Sequence, residues 1–143
     1  MVMVTNGVYR VGTVENNGLN RLVMTNGVTV RSVNGPQVTV IEGATSGVRC
    51  AYVGDGSVLS GFTLTKEAGL PGDGPIAVGG GVFCESFGVV TNCVLTANSA
   101  LYGGGAYRGT LNNCVLTGNS SSWSGGGASW STLNNCTLTG NSA

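Results

Sequence analysis

Charge is scarce in this chain: six Lys and Arg face six Asp and Glu across 143 residues, and histidine is absent. A chain with no net charge has no electrostatic hold on nucleic acid or on an anionic membrane, so neither is expected as a partner. Long apolar runs are missing too. None approaches the roughly 20 residues that span a bilayer, so membrane insertion is not expected. No basic region followed by an apolar one marks a leader, because MVMVTNGVY alternates as a strand does. Either a secretion signal has been removed or the chain is part of a longer one. Without histidine, and with no Cys-x-x-C, the usual zinc arrangements lose most of their ligands, and no metal or cofactor is expected. Stretches of Ala, Glu, Lys and Leu are lacking, which excludes a helical bundle.

What the chain does have is glycine, 26 residues of it, far above the usual share of about 7%. Regularly spaced Val, Leu and Ile supply enough apolar surface to set it apart from a disordered chain. The spacing is a repeat. Cys93, Cys114 and Cys136 lie 21 and 22 residues apart, and GGGVFC (79–84), GGGAYR (103–108) and GGGASW (125–130) recur with them. Each unit reads as three glycines, a short strand, a turn, Asn-Cys-x-Leu-Thr, a Gly-Asn-Ser turn and a loop back. Helical repeats need periods of about 33 residues or more. A period near 22 holds three short strands and three turns, which is one coil of a parallel β-helix.

Alternation assigns the faces. In Cys114-Val115-Leu116-Thr117 a period of two puts Cys114 and Leu116 on one side. Stacked coils then build an inward column of Phe62, Cys93, Cys114 and Cys136, and another of Leu64, Leu95, Leu116 and Leu138. Thr65, Thr96, Thr117 and Thr139 run up the outside. The N-terminal half follows less regularly, at a spacing near 30. There MVMV (1–4), VTVRSV (28–33) and VLSGFTLT (58–65) match the Asn-Cys strand, while LVM (22–24) and VRCAYV (48–53) match the strand after the glycines. The expected fold is all-β: a single-stranded parallel β-helix of about five to six coils, three short strands per coil, forming one domain over 1–143. Residues 1–78 make irregular longer coils with a loop at 66–78, and 79–143 make regular coils.

VTVRSVNGP, VLSGFTLT and the GGG…NC.LTGNSA units resemble the right-handed parallel β-helix repeat proteins of the pectate-lyase-like superfamily. Within it, they are most similar to repeat-rich secreted or surface proteins of environmental bacteria. The resemblance covers nearly the whole chain. It implies a right-handed coil and an extracellular or cell-surface location, on a scaffold that hosts lyases, hydrolases, adhesins and fibres alike. Family members usually carry a capping helix before a strand like VxVTNGVY; none precedes Met1, so the stack is expected to be uncapped at both ends.

Lyases of the superfamily cluster acidic residues, calcium and a basic residue on one face. Here Glu15, Glu42, Asp55, Glu67, Asp73 and Glu85 are scattered singly, and beyond residue 86 only Arg108 is charged. Acid–base work needs two ionisable groups at one bond, so no catalytic residue is assigned and no enzyme is expected. Asp55 and Asp73, each in a Gly-Asp-Gly turn, are the single carboxylates these turns could offer to calcium. The cysteines read as buried thiols filling the slot that Phe62 takes, with a Cys50–Cys84 bridge as the alternative. Asn98, Asn119 and Asn141 sit at turns where asparagine tolerates left-handed backbone, and stacked they make an amide ladder. Asn92, Asn113 and Asn135 mark the bend before the Cys strand. Tyr107, Arg108 and Trp130 are possible glycan contacts. The expected function is that of a non-enzymatic solenoid module: a stalk, adhesin or filament joining copies through first and last coils. The alternative is a glycan-binding or lyase-like carbohydrate module.

Overall fold

The computed structural model describes residues 1–67 and 78–143, so most of the expected 66–78 loop, with Asp73, lies outside the described residues. Among them every regular element is a strand, and the strands stack into three long sheets. The first sheet contains β1 (Val2–Val4), β5 (Thr29–Ser32), β8 (Val58–Ser60), β11 (Val89–Thr91), β15 (Thr110–Asn112) and β19 (Thr132–Asn134) in that order. The second stacks β2 (Gly7–Tyr9), β6 (Thr39–Glu42), β9 (Thr63–Thr65), β12 (Val94–Thr96), β16 (Val115–Thr117) and β20 (Thr137–Thr139). The third runs from β3 (Val14–Glu15) through β4 (Leu19–Met24), β7 (Arg49–Val53), β10 (Val82–Cys84) and β14 (Ala106–Tyr107) to β18 (Ala128–Ser129). A short fourth ladder pairs β13 (Ser99–Tyr102) with β17 (Ser120–Ser124). This is a right-handed parallel β-helix of about six coils, the hand that parallel crossovers adopt almost without exception.

The strands are short because left-handed residues bend the chain between them. Gly61, Asn92, Asn113 and Asn135 turn the first sheet into the second, with φ of 80°, 52°, 53° and 50°. Asparagine and glycine hold this conformation at little cost. Of the two repeated asparagine sets, it is therefore the one at the bend that is left-handed, while Asn98, Asn119 and Asn141 have ordinary backbone. In their turn it is the preceding residue, Lys66, Ala97, Gly118 or Gly140, that is left-handed. The first glycine of each triplet is left-handed as well, and the next two lie pressed between coils. A Cβ on Gly104 would sit 2.0 Å from the Ser120 carbonyl oxygen.

Register corrects two expectations from the sequence. MVMV and VTVRSV belong to the first sheet, paired with each other and with VLS of β8, and so precede the Asn-Cys strand. Its true earlier versions are GVY of β2 and TVIE of β6, while VLSGFTLT spans both sheets. Alternation fits either strand, and the bend that fixes register is drawn out to residues 33–38 in the second coil. LVM and VRCAYV do pair with the strand after the glycines. The second correction concerns the first coil. Val14 and Glu15 pair antiparallel with Asn20 and Leu19, so β3 closes part of the edge of the third sheet that was expected to be open.

The core is a set of columns along the axis. One is Val2, Val30, Leu59, Val90, Leu111 and Leu133; another is Tyr9, Ile41, Leu64, Leu95, Leu116 and Leu138. Leu59, Leu64, Val90, Leu95, Leu111 and Leu116 are fully buried, whereas in the last coil Leu133 is 37% exposed and Leu138 48%. Phe62, Cys93 and Cys114 are buried and Cys136 half-buried. All five cysteines are free thiols, so Cys50 and Cys84 are not bridged. Each ladder thiol donates to the carbonyl two residues back: Cys93 to Thr91 (3.3 Å), Cys114 to Asn112 (3.3 Å), Cys136 to Asn134 (3.4 Å).

The asparagine ladder is the polar counterpart. The amide N–H and Nδ2 of Asn98 both donate to Asn119 Oδ1 at 3.1 Å. The same two donors of Asn119 reach Asn141 Oδ1 at 3.0 Å. Each Nδ2 also donates across the coil, to Leu64, Leu95 and Leu116 carbonyls respectively. Asn98 and Asn119 are buried, so an amide without these partners would be costly there. One coil earlier the rung is Glu67, whose N–H donates to Asn98 Oδ1 at 3.3 Å.

Candidate functional site

The outer face of the third sheet carries an aromatic column. Register places Tyr52, Phe83 and Tyr107 on successive coils. Their rings stack, Tyr52 on Phe83 at 5.4 Å and 6° and Phe83 on Tyr107 at 5.7 Å and 29°. A guanidinium lies over two of these rings, Arg49 at 5.3 Å from Phe83 and Arg108 at 5.5 Å from Tyr107. Arg49 is buried, and donates to Asn20 Oδ1 and to the carbonyls of Gly79 and Val78, each at 2.9 Å. Burial pulls its pKa down to about 10, partly countered by the Glu67 carboxylate.

Where the third sheet turns into the first, the coils differ in length. The turn after β10 runs through Glu85, Ser86, Phe87 and Gly88, while the turn after β14 needs only Arg108 and Gly109. The step between them opens two adjoining hollows that share Ser86 and Arg108. One, of about 390 Å³, is lined by Asn17, Tyr52, Asp55, Phe83 and Glu85 as well. The other, of about 350 Å³, adds Gly109, Thr110, Trp130 and Thr132. Acids that look scattered in the sequence thus meet. Asp55 and Glu85 lie 30 residues apart but on adjoining coils, facing one groove with Arg108. Aligning the turns at 54–57 and 85–88 would have revealed this, but the irregular period hides that alignment.

The groove's chemistry is that of binding. Tyr52 donates its hydroxyl to Glu85 Oε1, and Asp55 Oδ1 accepts the Phe87 N–H at 2.9 Å. Burial, then the Glu85 hydrogen bond, pushes the Tyr52 phenol up from its ordinary 10 to about 12. Arg108 and Trp130 occupy the same turn position in consecutive coils, and both are left-handed, with φ of 61° and 56°. For side chains of this size such backbone costs about 1–2 kcal/mol each, and Trp130 is also 81% exposed. Tyr107 contributes through the stack, half-buried behind Arg108. Tyr102 and Trp123 do not line the groove and meet each other edge-on at 5.6 Å. Among the described residues no three His, Cys, Asp or Glu side chains come together as a metal site.

No protein-family model, curated protein or solved structure matches this chain. Its architecture, a right-handed parallel β-solenoid, therefore rests on the strand pairing itself.

Proposed function

We infer that this chain is a non-enzymatic structural solenoid module of an extracellular or cell-surface protein, built to continue end to end with further coils. The support lies in the columns. They run in register through all six levels, and their rungs at the two ends are apolar and exposed: Val2 50% and Tyr9 40% at one end, Leu133 37% and Leu138 48% at the other. Strand edges there offer unpaired backbone groups, which template another parallel strand. A second copy presents such a strand, with Leu133 over Val2 and Leu138 over Tyr9, in a head-to-tail contact that propagates as a filament. The location, and membership of the pectate-lyase-like superfamily, rest on the likeness of motifs to secreted repeat proteins. Sedimentation and electron microscopy of the 143-residue chain over a wide concentration range test the stacking. Rods that lengthen with concentration are expected, and discrete monomers at every concentration would refute it.

A second role is favoured by one observation, the strained Arg108–Trp130 pair at the groove. Strain retained at exposed bulky residues points to a functional constraint. An indole face beside a guanidinium, two carboxylates and the Thr110 and Thr132 hydroxyls suits a glycan. Trp fluorescence titrated with oligosaccharides, compared in wild type and Trp130→Ala, tests it: a saturable change lost in the variant is expected, and no change in wild type counts against it.

A further inference from the structure

The larger hollow of the groove opens on the flank of the stack. Its lining runs from Asn17 in the β3–β4 turn, past β7 and β10, to Arg108 after β14. In a chain so poor in charge, three charged side chains share it: the carboxylates of Asp55 and Glu85 and the guanidinium of Arg108. No ion pair or hydrogen bond joins any two of the three. What holds each carboxylate is neutral. Glu85 Oε1 accepts the Tyr52 hydroxyl, and Asp55 Oδ1 accepts the Phe87 N–H. The second oxygen of each takes no partner from the chain. Arg108 rests on the Tyr107 ring instead. Arg49, over Phe83, does not neutralise the groove, because it is turned to Asn20 and backbone carbonyls with Glu67 as its counter-charge.

This arrangement discriminates among glycans. A neutral saccharide over the groove would strip water from two carboxylates and return no charge. An acidic one would gain Arg108 but bring like charge against both carboxylates. A protonated amine brings positive charge and three N–H donors to oxygens that only accept. We propose that the groove binds a glycan through an amino sugar whose amine is free, with Asp55 and Glu85 as its partners. The inference rests on the glycan reading given above and names the sugar. Arg108, common to both hollows, confines the ammonium to the carboxylate end by repulsion. Neutral polar groups continue on either side of it: the Asn17 amide and Ser86 hydroxyl in the larger hollow, and the Thr110 hydroxyl in the adjoining one. These suit the hydroxyls of the same unit and of the next.

The test is calorimetric titration of the full chain, at low salt, with tetramers of glucosamine, of N-acetylglucosamine and of galacturonic acid. The pH is set between the carboxylate and sugar-amine ranges, so that both groups are charged. The glucosamine tetramer is expected to bind most tightly, roughly tenfold above its acetylated form. Asp55→Asn and Glu85→Gln keep the oxygens that accept from Phe87 and Tyr52, so both variants are expected to fold, which circular dichroism checks. Each should weaken the glucosamine tetramer about fivefold, whereas Glu42→Gln, the same change of charge on the second sheet, should not. Arg108→Gln should leave its binding undiminished. Equal affinity for the acetylated and free-amine tetramers, or tighter binding of galacturonate, would overturn the amino sugar while leaving the glycan reading intact. Equal losses from Glu42→Gln and Glu85→Gln would trace the attraction to overall charge and overturn it as well. Tetralysine bound more tightly, with the same dependence on Asp55 and Glu85, would assign the groove to a basic peptide, and the proposal would fall. A chain that binds none of the saccharides would overturn both readings.

Discussion

After residue 79 each polar rung repeats the one beneath it, whereas before residue 67 each is a contact made once. In the later coils one asparagine per turn accepts from the asparagine below and donates to the next, with both buried members satisfied. In the earlier coils Arg49 meets Asn20, Ser32 meets Thr39 at 2.7 Å, Lys66 meets Glu42 at 2.8 Å, and Arg21 reaches the Gly12 and Glu42 carbonyls. Charge follows this division. Past residue 79 only Glu85 and Arg108 are charged, and both face the groove. Identical rungs meet their own hydrogen-bonding needs without ions; coils of unequal length must satisfy each buried group with whatever side chain reaches it.

The sharpest way to break the comparison is at Arg49. Arg49→Met would leave Asn20 Oδ1 and three carbonyls without this donor and Glu67 without the cation acting on it. Removing one member of a buried charged network costs about 3–5 kcal/mol, expected as a lower urea midpoint. Next comes Asn119→Ala in the regular half. It strips the acceptor from two donors of Asn98 and the donor from the Leu95 carbonyl, at about 2–4 kcal/mol in all. Asn34→Ala, which removes an exposed bond to Asn6, should stay within about 0.5 kcal/mol. If Asn119→Ala proved equally mild, the ladder would not be what holds the later coils in register.

The cysteines give a pH-dependent effect. Burial raises the Cys93 thiol from an ordinary 9.0 to about 11, and Cys50 and Cys114 to about 12. Above pH 9 the unfolded chain therefore gives up protons that the folded chain keeps, and stability falls as pH rises. The contribution is complete below pH 9 and is lost on approaching the folded values. The expected slope is about 1.4 kcal/mol per pH unit for each such thiol. Cys114→Ala should flatten it by one thiol's share in urea titrations between pH 9 and 11. An unchanged slope would mean that Cys114 ionises alike in both states.

Legibility in the sequence followed the same division. Cys93, Cys114 and Cys136 recur at a near-constant interval, so the coils and inward columns could be read from residue types alone. The N-terminal register could not, because the six residues 33–38 replace a two-residue connection and alternation is blind to which strand precedes it. The β3 hairpin carried a local signal, Asn17-Gly18 with φ of 49° and 110°, a turn pair that favours tight hairpins. The groove had no such signal, since Asp55, Glu85 and Arg108 converge only once unequal coils are stacked.

The smallest effect probes the turn that both halves share. Lys66, Ala97, Gly118 and Gly140 stand at one position and are all left-handed, with φ of 63°, 53°, 60° and 62°. Two coils thus use the residue suited to this backbone and two do not. Replacing alanine by glycine in left-handed backbone relieves about 1 kcal/mol of steric cost, less what the unfolded chain gains in entropy. Ala97→Gly should therefore stabilise the protein by about 0.5 kcal/mol. Gly118→Ala, where a Cβ would meet open space, should destabilise it through backbone strain alone, by about 1 kcal/mol. Lys66→Gly gains the same relief but gives up the Glu42 ion pair, an exposed contact of about 0–1 kcal/mol, and should come out near neutral. Thermal melts of the three variants give the order. If Ala97→Gly lowered the melting temperature, the methyl group of Ala97 would be contributing packing that outweighs the strain, and the turns of the regular coils would not be interchangeable.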